Sequence, residues 1–141
     1  MNIAYKTALK AAIKKASKLI ANPGKLSALL LSSVNKIKLN KGSIQKIKNE
    51  LLLLTELIKY WSKGQYKDIS TKSILMIVGA IIYFVNPLDI IPDFTPILGF
   101  TDDATILYYV IRKISSEIDK FRNWKELQTI NNIDLNDKST D

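Results

Sequence analysis

Residues 74–103, "ILMIVGAIIYFVNPLDIIPDFTPILGFTDD", organise the predicted fold. Residues 74–85 form the longest uninterrupted apolar run in the chain, and a helix that spans a bilayer needs about 20 residues. Prolines, a glycine and aspartates follow, and helical spacing of apolar residues resumes after residue 103. The stretch therefore predicts a hydrophobic helical hairpin. Its first arm is either a buried core helix or one arm of a membrane-embedded hairpin.

The rest of the chain up to residue 130 shows apolar residues at three- and four-residue spacing, which is typical of amphipathic helices. The spacing predicts helices over residues 3–21, 26–39, 44–61, 72–85 and 102–124. The fold class is therefore all-α, with a single compact domain of five or six helices over residues 1–130, organised around the hairpin. Residues 131–141 are polar and lack periodicity, and they predict a flexible tail.

Local signals mark several helix ends. Ser43 and either Ser70 or Thr71 are predicted N-caps, and Gly64 suits a left-handed C-terminal cap. Two stripes of apolar residues show the clearest helical periodicity. The first comprises Ile44, Ile47, Leu51, Leu54, Ile58 and Trp61. The second comprises Ile106, Leu107, Val110, Ile114, Ile118, Phe121 and Trp124.

The composition excludes several kinds of chemistry. The chain has no cysteine and no histidine. Disulfides, thiolate metal sites and nucleophilic catalysis with a histidine base are therefore excluded within it. Catalysis would have to rest on carboxylates, lysines or tyrosines, and no arrangement of these groups indicates a substrate. We predict a protein that is not an enzyme.

Charge is distributed unevenly along the chain. Residues 1–49 contain eleven lysines and no acidic residue, whereas the remainder has an acidic excess. This asymmetry indicates a polyanionic partner for the basic helical part, residues 1–55. The first helix carries five lysines predicted to bind an anionic surface: Lys6, Lys10, Lys14, Lys15 and Lys18. The helix would either lie at a lipid interface or pack on the domain as an ordinary surface helix.

An anionic membrane surface is the favoured partner, because sequence-specific DNA readers favour arginine and every basic residue before Arg112 is lysine. Nucleic acid is the alternative, although the basic half has only Tyr5 as a stacking platform. No pattern indicates a protein partner. The N-terminal lysines precede no apolar core of signal-peptide length. We expect a location on the cytoplasmic side of the membrane, peripheral or shallowly inserted.

The polar residues, prolines and glycine after residue 85 can be interpreted as residues that form turns and helix caps. This interpretation requires no cofactor. Asn86 would cap a turn that begins with Pro87, and Thr101 or Asp102 would cap the last helix. Each polar residue then has a role at a turn or cap. The motif comprises Asn86, Pro87, Asp89, Pro92, Asp93, Pro96, Gly99, Asp102 and Asp103.

The alternative interpretation is a cation site formed by Asp89, Asp93, Asp102 and Asp103. Carboxylates held close together repel unless a positive group lies between them. Mg²⁺ or Ca²⁺ would be the cofactor, because hard cations take oxygen ligands. The spacing does not match an EF-hand loop. Arg112 could neutralise the cluster instead.

The segment "YFVNPLDIIPDFTPILGFTDDATIL" resembles the signature of the YkvA-like family, a widespread bacterial domain of unknown function. Two flanking segments also resemble that family: "WSKGQYKDIS", with Gly64, Tyr66 and Ile69, and "DKFRNW", with Phe121 and Trp124. The resemblance covers residues 60–125. It implies a membrane protein, but no reaction and no ligand.

A two-span membrane hairpin would place Asp102 and Asp103 inside its second arm, and aspartate at bilayer depth is costly. Shallow or re-entrant insertion, or a hairpin buried in a helical fold, is physically easier.

Overall fold

The structure is a computed structural model that describes residues 3–40, 42–86 and 104–139, with side chains over 6–40, 42, 44–86 and 105–132. This part of the chain has six α-helices and no strand, which confirms the predicted all-α single domain. A 3-10 helix, Ser43–Ile47, precedes α3. The helices are α1 (Ile3–Leu19), α2 (Pro23–Leu39), α3 (Lys48–Ser62), α4 (Thr71–Val85), α5 (Ala104–Lys113) and α6 (Ser115–Ser139).

The apolar run lies at the centre of the fold as α4, which packs against α1, α2, α3 and α5. Its side chains from Ile74 to Phe84 are buried, except that Leu75 is half-buried. The run is therefore a buried core helix, one of the two predicted alternatives. Across the described residues, no helix has both the length and the apolar character needed to cross a membrane.

Helices α1 and α4 approach closely because small residues face each other. Ala8, Ala12 and Ala16 recur every fourth residue on α1, and all three are buried. A Cβ atom placed on Gly79 of α4 would lie 3.2 Å from the backbone carbon of Ala12 and 3.2 Å from the backbone nitrogen of Ile13. Small residues that let two backbones approach this closely leave no room for a larger side chain. The contact fixes the position of α1 on the core helix.

The predicted helix signals around α3 and α4 are confirmed at Gly64 and Ser70. Gly64 has φ +74°, and its N–H donates to the Trp61 carbonyl oxygen at 3.0 Å. The N–H of Gln65 donates to the Tyr60 carbonyl oxygen at 2.9 Å. These two bonds form a Schellman motif, which satisfies carbonyl groups at the end of α3. Ser70 caps α4 by accepting a hydrogen bond from the Ser73 N–H at 3.1 Å.

An aromatic cluster joins α3, the segment after it and α6. The ring of Tyr66 lies 5.0 Å from that of Phe121 and 5.1 Å from that of Trp124, measured between centroids. Tyr60 of α3 contacts Trp124 edge-on at 5.3 Å. Edge-on and tilted aromatic pairs stabilise beyond the area they bury. The two segments that flank the signature and resemble the family are thus brought together.

Several helix boundaries differ from the predictions, and the helix predicted over residues 26–39 begins earlier, at Pro23. The helix expected after Ser43 begins as the 3-10 helix, so α3 starts only at Lys48, and Ser43 is a residue of that 3-10 helix rather than its N-cap. The helix expected to run unbroken to Trp124 is divided at Ile114, where the Glu117 N–H donates to the Ile114 carbonyl oxygen, three residues earlier, at 3.0 Å. The expected tail is helical as far as Ser139, and its flexibility stays a prediction.

Candidate functional site

The exposed surface of α1, away from Ala8, Ala12 and Ala16, carries the predicted anion-binding lysines. Their side chains are all exposed, and we call them the lysine face: Lys6, Lys10, Lys14, Lys15 and Lys18. The other side of α1, with Ala12 fully buried, contacts α4 and is covered by protein. The structure therefore has the packed-helix arrangement, the second of the two predicted alternatives. Only the charged side of α1 is available to a partner.

The end of α4, where the signature segment begins, is held by a lysine from another helix. The Nζ atom of Lys36 on α2 donates a hydrogen bond to the backbone carbonyl oxygen of Phe84. The same nitrogen lies 4.8 Å from the centroid of the Phe84 ring, a cation–π contact. No basic residue lies in the last turn of α4 itself. Lys36 therefore supplies the positive charge that stabilises a helix C-terminus.

Asn86 is the one residue of the predicted motif that the structure describes. It is the C-cap of α4, with φ −149° and ψ 82°. Its N–H donates to the Ile82 carbonyl oxygen at 2.9 Å. The chain thus leaves the helix at Asn86, where the sequence predicts a turn.

The candidate cation ligands Asp89, Asp93, Asp102 and Asp103 lie outside the described residues, as do the remaining positions of the motif. Both interpretations of the segment therefore stay predictions. Within the described residues, no three acidic side chains come close enough together to hold a metal ion. Arg112, the candidate counter-charge, is exposed on α5.

The contacts of two basic residues are evident from the structure but were not predicted from the sequence. Lys36 holds the end of α4, and Lys25 lies near the start of α2, beside Lys15 and Lys18 of α1. Both belong to a chain segment in which lysine is abundant, so spacing alone did not distinguish them. The N-cap Asn22, which accepts a hydrogen bond from the Lys25 N–H at 3.1 Å, was a detectable signal for the start of α2.

The sequence matches a family profile and a curated relative. The family profile, described as "Protein of unknown function (DUF1232)", matches residues 73–109, which include most of α4 and part of α5. The chain is also 31% identical over 102 residues to the "Uncharacterized membrane protein YkvA" of Bacillus subtilis (strain 168). That match covers 72% of this chain and 96% of the relative. No solved structure matches the chain.

Together with the helical fold, these similarities define the class of protein: an all-α domain with the sequence signature of a family of unknown function. More specifically, the chain belongs to the YkvA-like family. The resemblance predicted from the signature is confirmed. The relative's name describes a membrane protein and states no ligand, reaction or partner.

Proposed function

We propose that the protein is a non-enzymatic, membrane-associated helical protein whose lysine face binds an anionic lipid surface. The observation that carries the proposal is that α1 exposes five lysines on one side while its apolar side is held against α4. The description of the Bacillus subtilis relative as a membrane protein supports the same location. The absence of histidine and cysteine supports a role without catalysis.

The proposed binding is electrostatic adsorption without insertion of α1. Insertion of an amphipathic helix requires a free apolar face, and the apolar face of α1 contacts the core helix. Lysines near an anionic bilayer each contribute about 1 kcal/mol, and this attraction decays within a Debye length, about 10 Å at 0.1 M salt. Binding should therefore weaken steeply as salt concentration rises. The cytoplasmic face is the proposed side because that leaflet carries anionic lipids.

Co-sedimentation with phosphatidylglycerol vesicles tests the proposal. The variant Lys6→Gln/Lys10→Gln/Lys14→Gln should bind on the order of 100-fold more weakly, from about 1 kcal/mol for each lysine. Phosphatidylcholine vesicles should retain little of the unmodified protein.

The matched control, Lys63→Gln/Lys67→Gln/Lys72→Gln, changes the net charge by the same amount. Its three exposed lysines lie at the end of α3, in the segment after it and in the first turn of α4. Its vesicle binding should fall much less than that of the α1 variant. Equal losses in both variants would show that net charge, rather than the lysine face, drives adsorption. Recovery of the unmodified protein in the supernatant at low salt would refute the proposal.

A further inference from the structure

A cleft opens where the C-terminal part of α1, the first half of α2 and the last turn of α4 meet. Its volume is about 630 Å³, which is within the range of small-molecule sites in proteins. Lys15 and Lys18 line it from α1, and Lys25 lines it from α2. Among the described residues that line it, none carries a carboxylate. We call this feature the basic cleft.

Two sources of positive potential meet in the basic cleft. The first is the three ammonium groups of its lysines. The second is the N-terminal end of α2, which begins at Pro23 after the cap residue Asn22, and helix N-termini favour negative charge. A ligand that enters the cleft should therefore carry an anionic group.

The remaining lining of the basic cleft is largely apolar. Leu19 and Leu29 contribute from α1 and α2, and Ile82 and Val85 contribute from α4. An inorganic anion would match the charge of the lysines but leave these apolar side chains in contact with water. None of the described lining residues is aromatic, so a nucleotide base would find no stacking partner among them. The lining matches a molecule that has an anionic head and an apolar body.

We infer that the basic cleft binds the headgroup region of a single anionic phospholipid, with the phosphate near Lys18 and Lys25 and the proximal acyl chain against Leu29 and Val85. The inference rests on the proposed function for the identity of the partner, an anionic membrane. Lys15 and Lys18 belong both to the lysine face and to the cleft. A bilayer adsorbed on the lysine face would therefore lie beside the cleft, and a lipid could enter without leaving the membrane plane.

Calorimetry with dihexanoyl phosphatidylglycerol, below its critical micelle concentration, tests the site without a membrane. We expect saturable binding of one lipid per chain. Ala28 is exposed and lines the cleft, so Ala28→Trp places an indole ring in its volume and should weaken binding by about tenfold or more. Lys18→Gln/Lys25→Gln should weaken binding similarly. The control Leu31→Trp alters an exposed position on α2 outside the cleft and should bind as the unmodified protein does.

The alternative outcomes are distinct. Equal binding of glycerol phosphate would show an anion site only, and equal binding of dihexanoyl phosphatidylcholine would show an apolar site only; either result overturns the inference. Unchanged affinity in Ala28→Trp also overturns it.

If vesicles bind but the short-chain lipid does not, the inference fails while the proposed function stands. If the short-chain lipid binds in the cleft but the substitutions at Lys6, Lys10 and Lys14 leave vesicle binding unchanged, the proposed function fails instead.

Discussion

Lys36 of α2 bonds the backbone carbonyl oxygen of Phe84 and places its ammonium over the ring of the same residue, 4.8 Å from the centroid. One side chain thus contacts both the backbone and the ring of Phe84 at the last turn of α4. The residue after that turn, Asn86, is the first residue of the predicted motif within the family signature. The lysine therefore links the basic part of the chain to the segment that identifies the family.

Replacing Lys36 by methionine should lower the free energy of unfolding by about 1–2 kcal/mol, because the charged hydrogen bond and the cation–π contact are lost while the aliphatic stem is kept. Urea denaturation monitored by circular dichroism measures the change. Lys38→Met is the control, because Lys38 is exposed on the same helix. Equal midpoints for the two variants would contradict the role of Lys36.

Gly79→Ala should lower the free energy of unfolding by about 1–2 kcal/mol, although alanine has the better helix propensity by about 1 kcal/mol. The added Cβ would lie 3.2 Å from backbone atoms of α1, which cannot rotate away. Gly24→Ala is the matched control, since its Cβ would meet only the Asn22 side chain at 3.6 Å. Thermal melts of both variants check the prediction, and a stabilised Gly79→Ala would show that α1 can shift outward.

Gly64→Ala should destabilise the protein by about 1 kcal/mol for a different reason, since φ is +74° and nothing lies within 4 Å of the added Cβ. The cost comes from the left-handed backbone rather than from packing. Gly64→Asn should therefore cost less, because asparagine tolerates this conformation better. Chemical denaturation of the two variants makes the comparison, and an equal or larger loss for asparagine would be inconsistent with a backbone origin.

Stability should fall in alkaline solution through Tyr66. Burial raises the pKa of its hydroxyl above the ordinary value of 10.0, and the negative charges of Asp68 and Glu117 raise it further. The folded chain therefore holds this proton more tightly than the unfolded chain does. The contribution to stability is complete below pH 10.0 and is lost as the pH rises from there through the folded pKa.

Tyr66→Phe should remove this part of the pH dependence, and urea denaturation between neutral and alkaline pH measures it. The variant should also lose the hydrogen bond from the Tyr66 hydroxyl to the Asp68 carbonyl oxygen, 3.2 Å in length, which lowers stability at neutral pH by about 1 kcal/mol. Tyr108→Phe changes a tyrosine that is 37% exposed and serves as the control. Parallel pH profiles for the unmodified protein and Tyr66→Phe would exclude the proposed ionisation.

Features that depend on neighbours in sequence were predictable. The stripe from Ile44 to Ile58 is buried as expected, because helical periodicity places those residues on one side regardless of what covers them. The left-handed Gly64 and the cap at Ser70 were predictable for the same reason, since each follows from local backbone chemistry. Periodicity also predicted that Ile114 is buried, but it did not predict the break between α5 and α6 at that residue.

Features that depend on distant residues were not predictable from one sequence. Gly79 lies within an apolar run, and nothing near it indicates that its partner is Ala12. Lys36 resembles the other lysines of the basic half, and its position over Phe84 follows from how α2 crosses α4. The basic cleft likewise requires three helices to meet. The sequence therefore predicted which charges are exposed, but it did not predict which of them converge.

The close contact between Ala12 and Gly79 also constrains the order in which the chain can assemble. Helix α1 is synthesised before α4, so its partner surface exists only after Gly79 has been made. Most of the stability of a helix in a protein comes from tertiary packing, and contacts between distant parts of a chain form late because a long loop must close first. Helix α1 is thus secured late, after the core helix against which it packs has been made.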